Sequence, residues 1–427
     1  MSRIVIIGAG AMGLAAAHRA VSLGHEVDLL EADNVSGGMA AHFDFGDVSI
    51  ERFYHFVCKT DTPTFALMDE LGISDKMRWR PTRMGYFMRG KIHPWGNPFA
   101  LLRFPHLSLG AKLRTGLHMF LTTKKKTFDA IEDLTAKEWL ERGSGKEVYE
   151  TLWRRLMELK FYEYAENISA SWIATRVRRV GKSRKSVFQE ELGYIDGGSQ
   201  VLVDALVGAF EAKGGRLHLG TPLTRVETRG SKVTGVSAGG AFFPADAVIL
   251  TVPTPFVSKL VPDLPAQERA KYDAISNIGV ICPILKLKKS VSRNFWLNIV
   301  DDSIEIPGLI EFSNLRPTKD VIVYVPYYMP TTQPKWAWTD QQILDEAFGY
   351  IRKVNPDITA DDLLDARVGR LRHAQPVCPP RFLDALPAVR TPIEGLQIAD
   401  TSYYYPEDRG IAESVRLGRG MAEAVTG

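Results

Sequence analysis

The sequence predicts an α/β fold: a Rossmann-like, parallel-sheet domain with an α+β domain inserted into it. Three observations predict it. A β-branched run, Arg3-Ile4-Val5-Ile6-Ile7, leads directly into a glycine-rich turn and an alanine-rich helical stretch. Strands and helices of the same kind return near residues 193–253 and again at 395–424. Between these returns lie two long stretches of different patterning, one mainly helical and one rich in strand-like runs.

The opening run has the composition of a strand buried in a parallel sheet. Gly8-Ala9-Gly10-Ala11-Met12-Gly13 follows at once, giving G-x-G-x-x-G. Residues 14–23 read as a helix closed by Gly24. Residues 27–30 form a second strand, with Glu31 at its end and Ala32 after it. Each part has a physical task. Gly8 permits the tight turn, Gly10 admits a pyrophosphate to the backbone, and Gly13 lets helix and strand pack closely. The free N–H groups and the dipole at the helix start attract phosphate, and Glu31 can accept hydrogen bonds from ribose hydroxyls. The competing reading is a glycine-rich turn in an ordinary βαβ unit.

Composition sets the bounds. A chain of 427 residues suggests two domains or one large interleaved unit. With 45% apolar and 24% charged residues it reads as a soluble globular protein. No apolar run reaches the roughly 18 residues that would cross a bilayer. Residues 4–17 resemble a signal peptide in apolarity, but a polar cleavage region is lacking. Three scattered cysteines, Cys58, Cys282 and Cys378, suit neither a disulfide framework nor a zinc site, so no metal and a reducing cytoplasmic setting are expected. The net charge of +3 hides two basic runs: Lys124 to Lys126, and Arg176, Arg178, Arg179, Lys182, Arg184 and Lys185. Either they are solvated surface or they meet anionic headgroups or a phosphorylated substrate. No nucleic-acid motif accompanies them.

Gly37-Gly38 follows Glu31 at short range, with Asn34 and Ser36 in the turn. On these residues the sequence resembles the superfamily of flavin-dependent amine oxidases, protoporphyrinogen oxidases and phytoene desaturases. Its members carry a second glycine pair after the acid, commonly followed by arginine; here Met39 stands at that place. The segments Tyr54-His55-Phe56, Glu190-Glu191-Leu192-Gly193-Tyr194 and Ala374-Gln375-Pro376-Val377 are similar to protoporphyrinogen-oxidase-like bacterial flavoproteins. The resemblance extends to the two later blocks. In 193–253, Tyr194-Ile195-Asp196-Gly197-Gly198-Ser199 precedes an amphipathic helix, and the residue matching Val226 lies against the adenine. In 395–424, a strand ends at Asp400, preceded by Ala399 where glycine is usual, and Gly410 opens a final helix.

What the resemblance implies is FAD. Gly8, Gly10, Ala11, Met12, Gly13, Glu31, Ala32, Gly37, Gly38, Met39, Val226, Asp400, Gly410, Ile411 and Ala412 would hold it. A helix N-terminus stabilises nearby negative charge by about 0.3–2 kcal/mol, which suits the reduced flavin's pyrimidine edge. The FAD-binding domain would comprise residues 1–75, 190–262 and 385–427. The substrate-binding domain would comprise 76–189, with helices at 129–143 and 146–160, and 263–384. Strands at 280–287, 309–313 and 321–327 and a helix at 340–354 are expected in the second insertion. In 89–126 large apolar residues interleave with basic ones, as in a buried helix or a lipid-facing entrance.

Flavin N5 accepts hydride, so the protein need only place a carbon, exclude water and sometimes supply a base. The candidates are Tyr54 and His55 after the glycine pair, His373, Tyr324, Tyr327, and Tyr404 among Tyr403 to Tyr405; for each singly, a structural role competes. No Ser-His-Asp, H-E-x-x-H or P-loop pattern is present, and no flavin-attachment motif surrounds Cys378. Three functions stand open. The first is an FAD oxidoreductase of an apolar or amphipathic small molecule, isoprenoid-like or phosphorylated, with peripheral membrane contact. The second is an amine oxidase or dehydrogenase of a small polar substrate. The third is a non-catalytic escort for prenylated partners. Flavin mutases and isomerases complete the range.

Overall fold

A computed structural model describes residues 1–425. The nucleotide-binding domain has a five-stranded parallel sheet, ordered Arg216–His218, Glu26–Leu30, Arg3–Ile7, Ala247–Leu250, Leu396–Ile398. Its central strand is buried from Ile4 to Ile7, as its unbroken apolar sequence requires. Helices Ala11–Ser22, Ser199–Ala212 and Ile411–Ala424 pack against the sheet. A three-stranded antiparallel sheet, Leu223–Arg229, Lys232–Ala238 and Ala241–Pro244, flanks it.

The first helix starts at Ala11 rather than at residue 14. The glycine motif itself forms its first turn, with Gly10 extended as the cap (φ −72°, ψ 176°). The N–H groups left without helical acceptors are therefore those of the motif.

Eight of the other strands build one large sheet, and the rest form a two-stranded and a three-stranded antiparallel sheet. Asn277–Leu287 lies between Tyr327–Met329 and Val321–Tyr324 and also pairs with the long strand Leu363–Pro376. Gly308–Glu311, Trp296–Ile299, Met84–Met88 and Lys91–Trp95 continue the sheet. The single strand expected over 321–327 is two, because Pro326 has no N–H to continue the ladder. The helix expected over 146–160 is interrupted by a π-helical turn, Tyr149–Trp153, before Arg154–Phe161. The helix expected over 129–143 shortens to Ala136–Gly143, started by a Thr135/Glu138 capping box.

The segment 89–126 departs from the buried-helix reading. Helix Leu109–Lys124 turns Leu109, Leu113, Leu117, Phe120 and Leu121 outward, each 50–65% exposed. No helix of the described residues is long and apolar enough to cross a membrane.

Candidate functional site

The glycine cradle forms where the sequence puts it. Gly8 has φ +99°, and Gly37 and Gly38 have φ +110° and +57°, the region that costs glycine least. A Cβ on Gly13 would fall 1.8 Å from the Gly8 carbonyl oxygen, so the helix can approach the turn only without one. At Gly10 a Cβ would meet nothing nearer than the Gly38 Cα at 3.9 Å. The fold therefore leaves open space at the one glycine whose task concerns a ligand. The two glycine segments are tied together: the Gly37 N–H donates to the Ala9 carbonyl at 2.8 Å.

Glu31 accepts the Ala9 N–H at 2.7 Å through one oxygen and the Asp33 N–H at 2.9 Å through the other. It thus fixes the turn as well as presenting negative charge at the strand end. Ala32 is exposed beside it. Met39 lies in the short turn Gly38–Ala40. Val226 is fully buried in an apolar cluster with Val5, Ile7 and Val236.

Asp400 is buried at the end of its strand and accepts N–H bonds from Thr254 and Ser402, both at 2.8 Å. Burial raises its pKa, and these N–H donors oppose the rise. The nearby hydroxyls of Thr254 and Ser402 are buried without a well-directed hydrogen bond. Gly410, Ile411 and Ala412 form the start of the final helix, with Gly410 in extended backbone. A cradle open at Gly10, uncommitted hydroxyls and two helix N-termini suit a dinucleotide, so the residues present fit FAD.

The arginines of the second basic run are not a solvated face, whereas Lys182 and Lys185 are exposed. Helix Ala170–Lys182 turns its arginines inward. Arg176 pairs with Asp408 at 2.7 Å, Arg178 with Glu407, and Arg179 grips Asp61 through two bonds of 3.0 and 2.7 Å. Arg184 lies 3.5 Å from buried Glu190, whose pKa burial pushes up to about 7. A cavity of about 280 Å³ opens among Asp61, Arg179, Asp408, Gly410 and Ala412.

Glu51 joins the second glycine arm to the helix Ser199–Ala212. Its carboxylate accepts the Ser199 N–H at 2.9 Å, with His42 at 3.7 Å and Arg316 at 3.5 Å. Burial opposes ionisation, but these groups prevail and hold its pKa down to about 2. A carboxyl depressed in the native state stabilises above its unfolded pKa, 4.5, and loses that contribution as pH falls towards 2. Stability should therefore drop by about 3 kcal/mol across this window on account of Glu51. Urea melts of Glu51→Gln should show a shallower fall between pH 5 and 3 than the parent chain.

Tyr54 reaches the underside of the large sheet. Its hydroxyl lies 3.1 Å from that of Tyr328, and its ring meets Trp296 and Tyr324 edge-to-face at 5.3 and 5.7 Å. Burial raises the pKa of Tyr54 and of Tyr324, whose hydroxyl donates to the Glu51 carbonyl. His55 is kept neutral by burial, and its Nδ1 is buried without a partner. The other candidates are not gathered with these two. His373 packs edge-on against Phe256, and burial lowers its pKa. Tyr327 belongs to the cluster on the other side of the sheet, stacked with Tyr350. Tyr404 sits in the core of the nucleotide-binding domain, 2.8 Å from the Ser414 hydroxyl.

One residue here escaped sequence reasoning. Lys160, in the last turn of Arg154–Phe161, places its ammonium over Phe161, Trp172 and Tyr328 at 5.4, 5.1 and 4.9 Å. Burial first, then Arg176 and Arg409, push its pKa well below the lysine range. Lysine within a helical run carries no local signal; its position depends on the π-turn and on the reversal at Tyr162 (φ +50°). Among the described residues no group of three or more His, Cys, Asp or Glu is arranged for a metal. All three cysteines are free and buried.

Residues 13–407 match the family model described as flavin containing amine oxidoreductase. The chain is 24% identical over 440 residues to 15-cis-phytoene desaturase of Arabidopsis thaliana, covering 93% of this chain and 75% of that protein. It is 28% identical over 155 residues to protoporphyrinogen oxidase 2 of the same plant, covering 35% of this chain and 30% of that one. Among solved structures, cyclohexylamine oxidase from Brevibacterium oxydans superposes with a TM-score of 0.73 at 17% identity, covering 99% of this chain and 98% of that one.

Proposed function

Because the chain belongs to the flavin containing amine oxidoreductase family and is an FAD-dependent enzyme, we propose that it oxidises an apolar or amphipathic small molecule, isoprenoid-like in character. The observation that carries this reading is the wall of rings around Tyr54. Tyr54, Phe56, Phe295, Trp296, Tyr324 and Phe312 meet edge-to-face in one continuous layer. Such a layer excludes water and offers broad apolar contact. The likeness to a phytoene desaturase over most of the chain points the same way. As an enzyme of this family, the chain is not a non-catalytic escort.

FAD would be held by the two glycine segments, Glu31, Asp400 and the start of the final helix, and it supplies the hydride acceptor. The chain's own residues do the rest. The aromatic layer orients the substrate and keeps it dry. The Tyr54–Tyr328 hydroxyl pair offers a polar fixed point within that layer. His55 follows Tyr54 in the chain, and burial holds its imidazole in the neutral form that a base requires.

Anaerobic mixing of the FAD-loaded protein with phytoene in detergent, protoporphyrinogen, cyclohexylamine and putrescine tests the reading. Bleaching of the flavin band by an apolar compound, and not by the amines, is the expected outcome. Bleaching by the amines alone would overturn it in favour of an amine oxidase.

The outward stripe of Leu109–Lys124, with Lys112 and Lys124 to Lys126 beside it, suits a face that rests on an anionic membrane. Sedimentation should then show more protein on anionic than on neutral vesicles, with salt weakening the binding. A Leu113→Asp/Leu117→Asp variant should lose most of it. Equal, negligible binding to both vesicle types would make the stripe simple surface and the protein's substrate one met in solution.

A further inference from the structure

Lys160 and Arg409 are half-buried basic side chains, and neither forms an ion pair within 4 Å among the described residues. The nearby Asp408 is committed to Arg176 at 2.7 Å, and no ion pair within 4 Å joins it to either of them. Arg409 spends one N–H group on the Ala374 carbonyl. The Lys160 ammonium lies over the faces of Phe161, Trp172 and Tyr328. Rings of this kind guide a cation but do not neutralise it. Lys160, Arg176 and Arg409 thus share one carboxylate, Asp408, and the excess of basic groups leaves room for a further anion.

The pair is also placed to meet one. Lys160 sits over the Tyr328 ring, and the Tyr328 hydroxyl touches that of Tyr54. Arg409 acts electrostatically on both Lys160 and Tyr54. It directly precedes Gly410, which opens the final helix. Two basic groups, and the one phenolic O–H that the Tyr54–Tyr328 bond leaves free, thus lie beside the aromatic layer assigned to the substrate's apolar body.

We propose that Lys160 and Arg409, with the Tyr54–Tyr328 hydroxyl pair, bind an acidic head group of the substrate, a phosphate or a carboxylate. The inference rests on the reading that the substrate lies against the aromatic layer. It divides the substrate in two: a greasy body against the rings and an anionic end between the two cations. Arg176, Asp408 and Cys378 are the other charged or titratable groups facing Lys160. Of these only Asp408 is a carboxylate, and it is shared with Arg176 and Arg409, so an arriving anion also favours protonation of the amine.

Equilibrium dialysis of the FAD-loaded protein against labelled inorganic phosphate and, separately, benzoate tests the inference at constant ionic strength in chloride. Saturable binding of one of the two is expected, and which one binds tells phosphate from carboxylate. Lys160→Met and Arg409→Met should each weaken it at least tenfold, and Lys160→Arg should retain most of it. Lys124→Met, on the surface, should change nothing. Acetic anhydride labelling of the unaltered chain adds a readout that needs no variant: the bound anion should reduce labelling of Lys160 and leave that of Lys124 unchanged. Unsaturable binding of both anions, or full binding by Lys160→Met, would overturn the inference. So would binding lost in Lys182→Met, in the cavity beside Gly410, but kept in Lys160→Met. Dialysis does not depend on turnover, so failure of the hydrocarbon assay and failure of the anion subsite remain distinct results.

Discussion

Gly10→Val is expected to give a folded but colourless protein, and Gly13→Ala a protein that does not fold. The two glycines lie three residues apart in one motif, yet the structure separates them. A Cβ at position 13 would fall 1.8 Å from a backbone oxygen. No side chain can rotate out of that contact, so helix and strand must move apart, and the core containing Met12, Leu14 and Ala15 opens. A Cβ at position 10 has only the Gly38 Cα near it, at 3.9 Å. Valine there leaves the apo fold in place and fills the path the pyrophosphate needs. Circular dichroism together with flavin absorbance separates the outcomes. Stoichiometric FAD in Gly10→Val would remove the phosphate-binding role from this turn.

Asp61→Ala should destabilise the chain by about 3–5 kcal/mol, the usual cost of leaving a buried charge without its partner. Asp61 is buried and holds Arg179 through two bonds, while its second oxygen also accepts the Cys58 N–H at 2.9 Å. Arg179 would be left facing the ring of Phe56. Removing both partners should cost less than the sum of the single changes. A urea-denaturation cycle over Asp61→Ala, Arg179→Met and the double variant measures this. Strict additivity would mean that the pair is open to water.

The nucleotide half was legible because its constraints are local. Gly8, Gly10, Gly13 and Glu31 each answer a requirement of turn, helix start or strand end within thirty residues of chain, and the motif spells them out in order. The roof over the site was legible only in outline. Tyr54 and His55 stand out through their place after the glycine pair, but Tyr328, Trp296 and Lys160 come together through pairing of distant strands and a π-turn, which no short window encodes. Charge misled for a related reason. Arg176, Arg178 and Arg179 look like surface in sequence because their acids lie more than a hundred residues away, at Asp61 and at Glu407-Asp408. The stripe Leu109, Leu113, Leu117 misled in the opposite direction: helical spacing of leucines signals a buried face, and here that face is open.

The three arginine clasps also bear on the order in which the molecule is made. Their acids lie on both sides of helix Ala170–Lys182 in the chain, one early and two within the last quarter-hundred residues. The strand Leu396–Ile398 and the helix that follows are likewise among the last parts synthesised, yet they complete a sheet begun at residue 3. A nascent chain leaving the ribosome therefore carries its first glycine turn long before the sheet, the clasps or Asp400 exist. Neither domain can close as a contiguous unit during translation, unlike the usual course in which domains fold as they emerge. The sheet and the clasps are completed only once the far end of the chain has emerged, and any shortened product that stops before residue 407 would expose unpaired arginines and offer quality control a clear mark.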